Sequence, residues 1–136
     1  MANNYNIKNF KPQWITKGAD GDMIDYAETI GDVLHNEGLT TSQIRNVYSE
    51  VKRIQTRGYN NEINSFFLLR PKVAYMYGRN VKKNNNGVIT SGKAIDTFKV
   101  YFFDQAFQYV KDSETYDNFC NLMEAVLAYH RFYGGK

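Results

Sequence analysis

Apolar residues recur at helical spacing along almost the whole chain, and only two prolines, Pro12 and Pro71, interrupt it. Residues at i, i+3, i+4 and i+7 share one face of a helix. A chain written this way must bury its stripes helix against helix. The glycines gather at the joints between stripes, and five helices result. The expected fold is all-α, a single compact bundle of about five helices. With 136 residues, one domain is the natural unit, and a chain of this length buries roughly two-thirds of its unfolded surface.

The first helix is predicted over residues 22–36, with Met23, Tyr26, Ala27, Ile30, Val33 and Leu34 as its stripe. Asp22 is the expected N-cap and Gly38 the stop. The second, over 41–55, has the clearest start. Thr40 and Gln43 have capping-box spacing, and Leu39 and Ile44 have the spacing of a hydrophobic staple around that cap. Its inward face is Ile44, Val47, Tyr48, Val51 and Ile54, which leaves Arg45, Ser49, Lys52 and Arg53 roughly opposite.

The third helix, over 62–77, contains Pro71. Proline removes a backbone donor and clashes with the preceding turn, so the sequence allows a kinked helix or a break. A polar, basic loop follows over 78–91, with an Asn84-Asn85-Asn86-Gly87 turn signal and room for a short hairpin between Val81 and Ile89. Helices over 93–111 and 114–133 complete the bundle. Residues 1–21 read as an irregular N-terminal arm outside the 22–136 helical domain, with Tyr5, Phe10 and Trp14 as the rings to dock it.

Charge is strongly polarised along this frame. Residues 38–93 hold ten Lys or Arg against Glu50 and Glu62, a local charge of +8. Residues 18–37 hold six acids and no Lys or Arg, a local charge of −6. A basic segment that large points to a polyanionic partner, and nucleic acid is the first candidate. Arg45 and Lys52 are seven apart and share a helix face, as do Lys72 and Arg79 if the third helix continues past Pro71. Such side chains hold phosphates by charge and carry little sequence information.

Catalytic chemistry has no comparable signal. His35 and His130 are far apart, no His-x-x-x-His or Cys-x-x-Cys pair occurs, and no glycine-rich phosphate loop is present. No catalytic residue, metal ligand or cofactor is assigned. The lone Cys120 lies in an apolar helix and is expected as a buried, reduced thiol, which suits the cytosol. Neither end carries an apolar run of signal-peptide or membrane-span length. Most of the 21 aromatic rings fall on apolar stripes and read as core, with base stacking as the functional alternative. Glu124 is the only charge between Asn118 and Tyr129. A buried carboxylate needs a partner, and Arg45 or Arg79 is the expected one.

Three segments, LTTSQIR (39–45), LRPKVAYMYGR (69–79) and FCNLMEAVLAYHRFYGG (119–135), occur in this order. Together they resemble the small, all-helical subunit of type III-A (Csm) CRISPR effector complexes. The resemblance runs from about Leu39 to the C-terminus, and Pro71 departs from its pattern. It implies a non-catalytic subunit that stacks in several copies into a short filament. The filament would lie beside the backbone subunits holding guide RNA, line the channel for target RNA, and meet the large subunit at one end. Arg45, Arg70 and Arg79 match basic positions of the motifs. Lys52 and Arg53 rest on the helical-face argument, and Lys72 on its spacing from Arg79. These six are the expected RNA-binding residues. A helix-turn-helix DNA binder, built on the well-capped basic second helix, is the main rival reading. A small nuclease using scattered carboxylates or histidines ranks third.

Overall fold

In the computed structural model, which describes residues 7–136, one helical bundle carries nearly all of the described residues. The helices are α1 (Gln13–Thr16), α2 (Gly21–Asn36), α3 (Thr41–Arg57), α4 (Ile63–Asn80), α5 (Lys93–Thr97), α6 (Asp104–Phe107) and α7 (Ser113–Phe132). A 3-10 turn, Tyr59–Asn61, links α3 to α4. Two short strands, β1 (Lys82–Lys83) and β2 (Ile89–Ser91), form an antiparallel hairpin between α4 and α5.

The central packing is α2 on α7, while α3 packs chiefly on α4. Gly31 makes the α2–α7 approach this close. A Cβ there would lie 2.7 Å from the His130 nitrogen and 2.8 Å from the Val126 carbonyl. The core is unusually aromatic. Phe66 of α4 stacks on Phe107 of α6 at 4.4 Å, and Tyr116 of α7 lies edge-on to Phe66 at 5.6 Å. The buried Tyr116 hydroxyl donates to the Val51 carbonyl of α3 at 2.7 Å. Cys120 is buried in this layer, and desolvation pushes its thiol up to about 12.

The α3 start forms as its sequence predicts. Thr40 Oγ1 accepts from the Gln43 amide, Gln43 Oε1 accepts from the Thr40 amide, and the staple pair Leu39 and Ile44 is buried. At α2 the cap is Asp20 rather than Asp22. Asp20 Oδ1 accepts from the Met23 amide at 2.8 Å, and Asp22 sits in the first turn, paired with Lys11 at 2.7 Å.

Pro71 does not break α4, which runs unbroken from Ile63 to Asn80. The proline lies on the exposed face, where its ring meets solvent and the missing donor leaves one carbonyl free to bond water. The fourth predicted helix is divided. Residues Phe98–Phe103 take wider π-type turns between α5 and α6, and the run ends at Phe107 instead of Lys111. That widening keeps Phe98, Phe102 and Phe103 buried. The Tyr26 hydroxyl of α2 donates to the Tyr101 carbonyl within it.

Residues 13–16, expected within an irregular arm, form a helical turn that joins the core. Trp14 and Ile15 are buried, Phe10 packs edge-on against Trp14 at 5.5 Å, and Asn118 of α7 donates to the Ile15 carbonyl. Tyr5, the third ring considered for docking, lies outside the described residues.

Candidate nucleic-acid interface

The six cations singled out in the sequence fall into three grooves of the bundle. Arg53, Lys72 and Arg79 line the groove between α3 and α4. Arg45 and Lys52 line the groove between α3 and α7. Arg70 stands in a third groove, between α4 and the π-type segment with α6, beside Lys99 and Asp104.

Their partners divide them again. Lys52 Nζ meets Glu124 Oε2 at 2.5 Å across the α3–α7 groove. This corrects the expectation that Arg45 or Arg79 would pair with Glu124. Arg45 lies about two turns before Lys52 on the same face, and Arg79 belongs to the α3–α4 groove. Nor is the carboxylate deeply buried, since its side chain is 40% exposed.

Arg53 is the other engaged cation. It donates through Nε and Nη2 to Glu50, at 3.0 and 2.7 Å, and through Nη1 it meets Glu62 at 2.9 Å. Ser65 accepts from Arg53 and donates to Glu62, which closes the network between α3 and the start of α4. The Arg53 hydrogen bonds hold the Glu50 carboxyl below its ordinary range. At Glu62 the bond from Ser65 acts first and Arg53 second, in the same direction.

Arg45, Arg70, Lys72 and Arg79 are exposed, and none makes an ion pair among the described residues. Arg57, Lys82 and Lys83 share that state and extend the basic surface to the end of α3 and onto the hairpin. The hairpin is well pinned: Asn84 Oδ1 accepts from the amides of Asn86 and Val88, and Gly87 takes the positive φ of its turn. Arg131 lines the α3–α7 groove opposite Arg45. It falls outside the basic segment 38–93 on which the charge reading rested, yet it lies seven residues after Glu124 on one face of α7.

The α3–α4 groove has an open volume of about 940 Å³ and two chemically different walls. From α3 come Ser42, Gln43, Asn46 and Ser49. From α4 come Leu68, Pro71 and Tyr75, together with the cations Lys72 and Arg79. Its one acid, Glu50, is already matched by Arg53.

By contrast, the acids of α2 face elsewhere and are partly covered, Asp22 by Lys11 and Asp25 by Lys8. No group of three or more His, Cys, Asp or Glu among the described residues is placed to hold a metal ion. No described helix is long and apolar enough to cross a membrane. Because α2 packs on α7 and α3 on α4, the two helices flanking Gly38 do not build the paired unit of a helix-turn-helix reader.

Fold and surface together define a small, all-helical protein with unmatched cations on three grooves. The family model for Csm2 type III-A proteins matches residues 18–136. A Streptococcus thermophilus protein described as "CRISPR system Cms protein Csm2" is 33% identical over 126 residues, covering 86% of this chain and 95% of its own length. No solved structure matches the chain. The chain belongs to the Csm2 type III-A family. The match extends further than the three motifs, reaching back over all of α2.

Proposed function

We propose that this chain is a non-catalytic, RNA-binding structural subunit of a type III-A CRISPR ribonucleoprotein. Several copies stack and line the channel that holds target RNA against the guide. The observation that carries this reading is the set of exposed cations without ion pairs among the described residues, Arg45, Arg70, Lys72 and Arg79, on a member of the Csm2 family. Cations without internal partners are free to displace the counterions of a phosphate backbone, and that release supplies sequence-independent affinity. Arginine adds a planar fork for bidentate phosphate contact. Lys52 and Arg53 act beside them with part of their charge already committed to Glu124, Glu50 and Glu62.

The partners are target and guide RNA, the backbone and large subunits of the complex, and further copies of this chain. The acidic α2 is suited to meet the basic α3–α4 side of the next copy. A head-to-tail contact of that kind propagates as an open filament. The activity needs no cofactor.

Binding of unstructured RNA is measured against salt, with the subunit alone and with its complex partners. Replacing Arg45, Arg70 and Arg79 by Gln is expected to reduce the log–log salt slope by about two on single strands. An unchanged slope removes these three from the interface. Metal-dependent RNA cutting by the isolated chain overturns the non-catalytic role.

A further inference from the structure

Among the described residues four aromatic rings stand exposed, Phe67, Tyr75, Tyr101 and Phe132, and Tyr75 is 67% exposed. It is the only aromatic residue lining the α3–α4 groove, and its hydroxyl makes no hydrogen bond among the described residues. Lys72 lies three residues before it and Arg79 four residues after it, the spacings that place side chains side by side on a helix. The two cations are thus about 10 Å apart along α4, with the ring between them. Leu68 and Pro71 continue the ring's apolar surface, while Ser42, Asn46 and Ser49 face it with hydrogen-bonding groups.

We propose that this groove takes a single-stranded segment of RNA with one base stacked on the Tyr75 ring and the flanking phosphates on Lys72 and Arg79. The inference rests on the RNA-binding reading above and deepens it, since phosphate contact alone does not distinguish an unpaired strand from a duplex. Stacking does, because it needs a base whose face is free. Two features select RNA over a protein segment as the occupant. Two cations without acidic partners flank the ring, and the only groove acid is matched internally by Arg53. An apolar wall beside a cationic and amide-rich one complements a nucleotide, which has a flat apolar face and a charged, hydroxylated backbone.

The test uses an unstructured RNA oligonucleotide, single-stranded and as a duplex, titrated at several salt concentrations. The variants are Tyr75→Phe, Tyr75→Leu and the double variant Lys72→Gln/Arg79→Gln. Because Tyr75 is exposed, thermal melting is expected to confirm that each variant stays folded. Tyr75→Leu keeps apolar bulk without the π face. It is expected to weaken single-strand binding roughly 5- to 150-fold at every salt concentration, with an unchanged slope. Tyr75→Phe is expected to bind like the parent, and duplex affinity is expected to be the same for all three tyrosine forms.

The double variant is expected to lower the slope instead. If it does so while Tyr75→Leu binds like the parent, the groove holds phosphates without a stacked base, and the inference fails with the RNA-binding reading intact. If neither changes RNA binding, this groove is no part of an RNA interface and both fail there. If Tyr75→Leu leaves RNA affinity intact but weakens self-association or capture by partner subunits, the face is a protein contact and the stacking assignment is wrong.

Discussion

Lys52 of α3 and Glu124 of α7 meet at 2.5 Å across a groove that also holds Arg45 and Arg131. The pair is one of the few polar links between two helices joined mainly by apolar contact. Both side chains are about two-fifths exposed, so solvent screens most of their attraction. A double-mutant cycle with Lys52→Gln and Glu124→Gln is expected to give a coupling below about 1 kcal/mol in denaturant unfolding, shrinking with added salt. A coupling of several kcal/mol would mean that the pair is far more buried than its geometry indicates.

Gly31 offers a sharper test of the packing. In an exposed helix interior, Gly→Ala stabilises by close to 1 kcal/mol. Here the new methyl group meets the backbone and Cβ atoms of α7 at 2.7 to 2.8 Å, and backbone cannot rotate away. Gly31→Ala is therefore expected to reverse the usual sign and destabilise by about 1–3 kcal/mol in urea unfolding. A more stable variant would show that α2 and α7 stand further apart.

Glu37, at the C-terminal end of α2, is a source of pH dependence opposite in sign to Glu50 and Glu62. Desolvation raises its carboxyl above the ordinary value, and the hydrogen bond from Thr97 at 2.6 Å only partly offsets this. A raised folded-state pKa means that the group favours folding when protonated, and this advantage is lost as pH rises through that pKa. Glu37→Gln keeps an acceptor for Thr97 without the charge. The variant is expected to be more stable than the parent at about pH 7, with the difference closing toward about pH 4. An equal difference at both pH values would rule out the protonation effect. Glu50 behaves in the opposite way, since its lowered pKa gives stability that is present above the unfolded value and lost on acidification.

What the sequence revealed about this fold is what neighbouring residues decide. Thr40 and Gln43 reach each other within one turn, so the α3 start was legible. The buried stripes were legible for the same reason. At α2 the sequence pointed to Asp22, whereas the cap is Asp20, whose reach to the Met23 amide depends on the chain path before it. The α1 turn depends on Trp14 finding Tyr26 at 4.9 Å and on Asn118 reaching Ile15 from α7, contacts no local pattern encodes. The π-type turns follow from how Phe98, Phe102 and Phe103 must share the core.

The candidate site was legible as charge but not as geometry. Ten cations in one segment predicted a polyanion, yet the count could not sort Arg53, held by Glu50 and Glu62, from Lys72 and Arg79, which face solvent. Glu124 was expected as a buried carboxylate held by Arg45 or Arg79, but it is 40% exposed and meets Lys52 instead. Tyr75 was hidden among many aromatic residues. Its position off the buried line of Leu69, Val73 and Met76 was the available signal.

The most direct test of the central claim is to map where RNA touches the chain. Target RNA carrying photoreactive uridines is crosslinked within the assembled complex, and the modified peptides of this subunit are identified by mass spectrometry. The account predicts crosslinks in peptides of α3 and α4, including the Lys72 to Arg79 stretch, that disappear when the unpaired cations there are neutralised. Crosslinks confined to the acidic α2 surface, or insensitive to those substitutions, would contradict it.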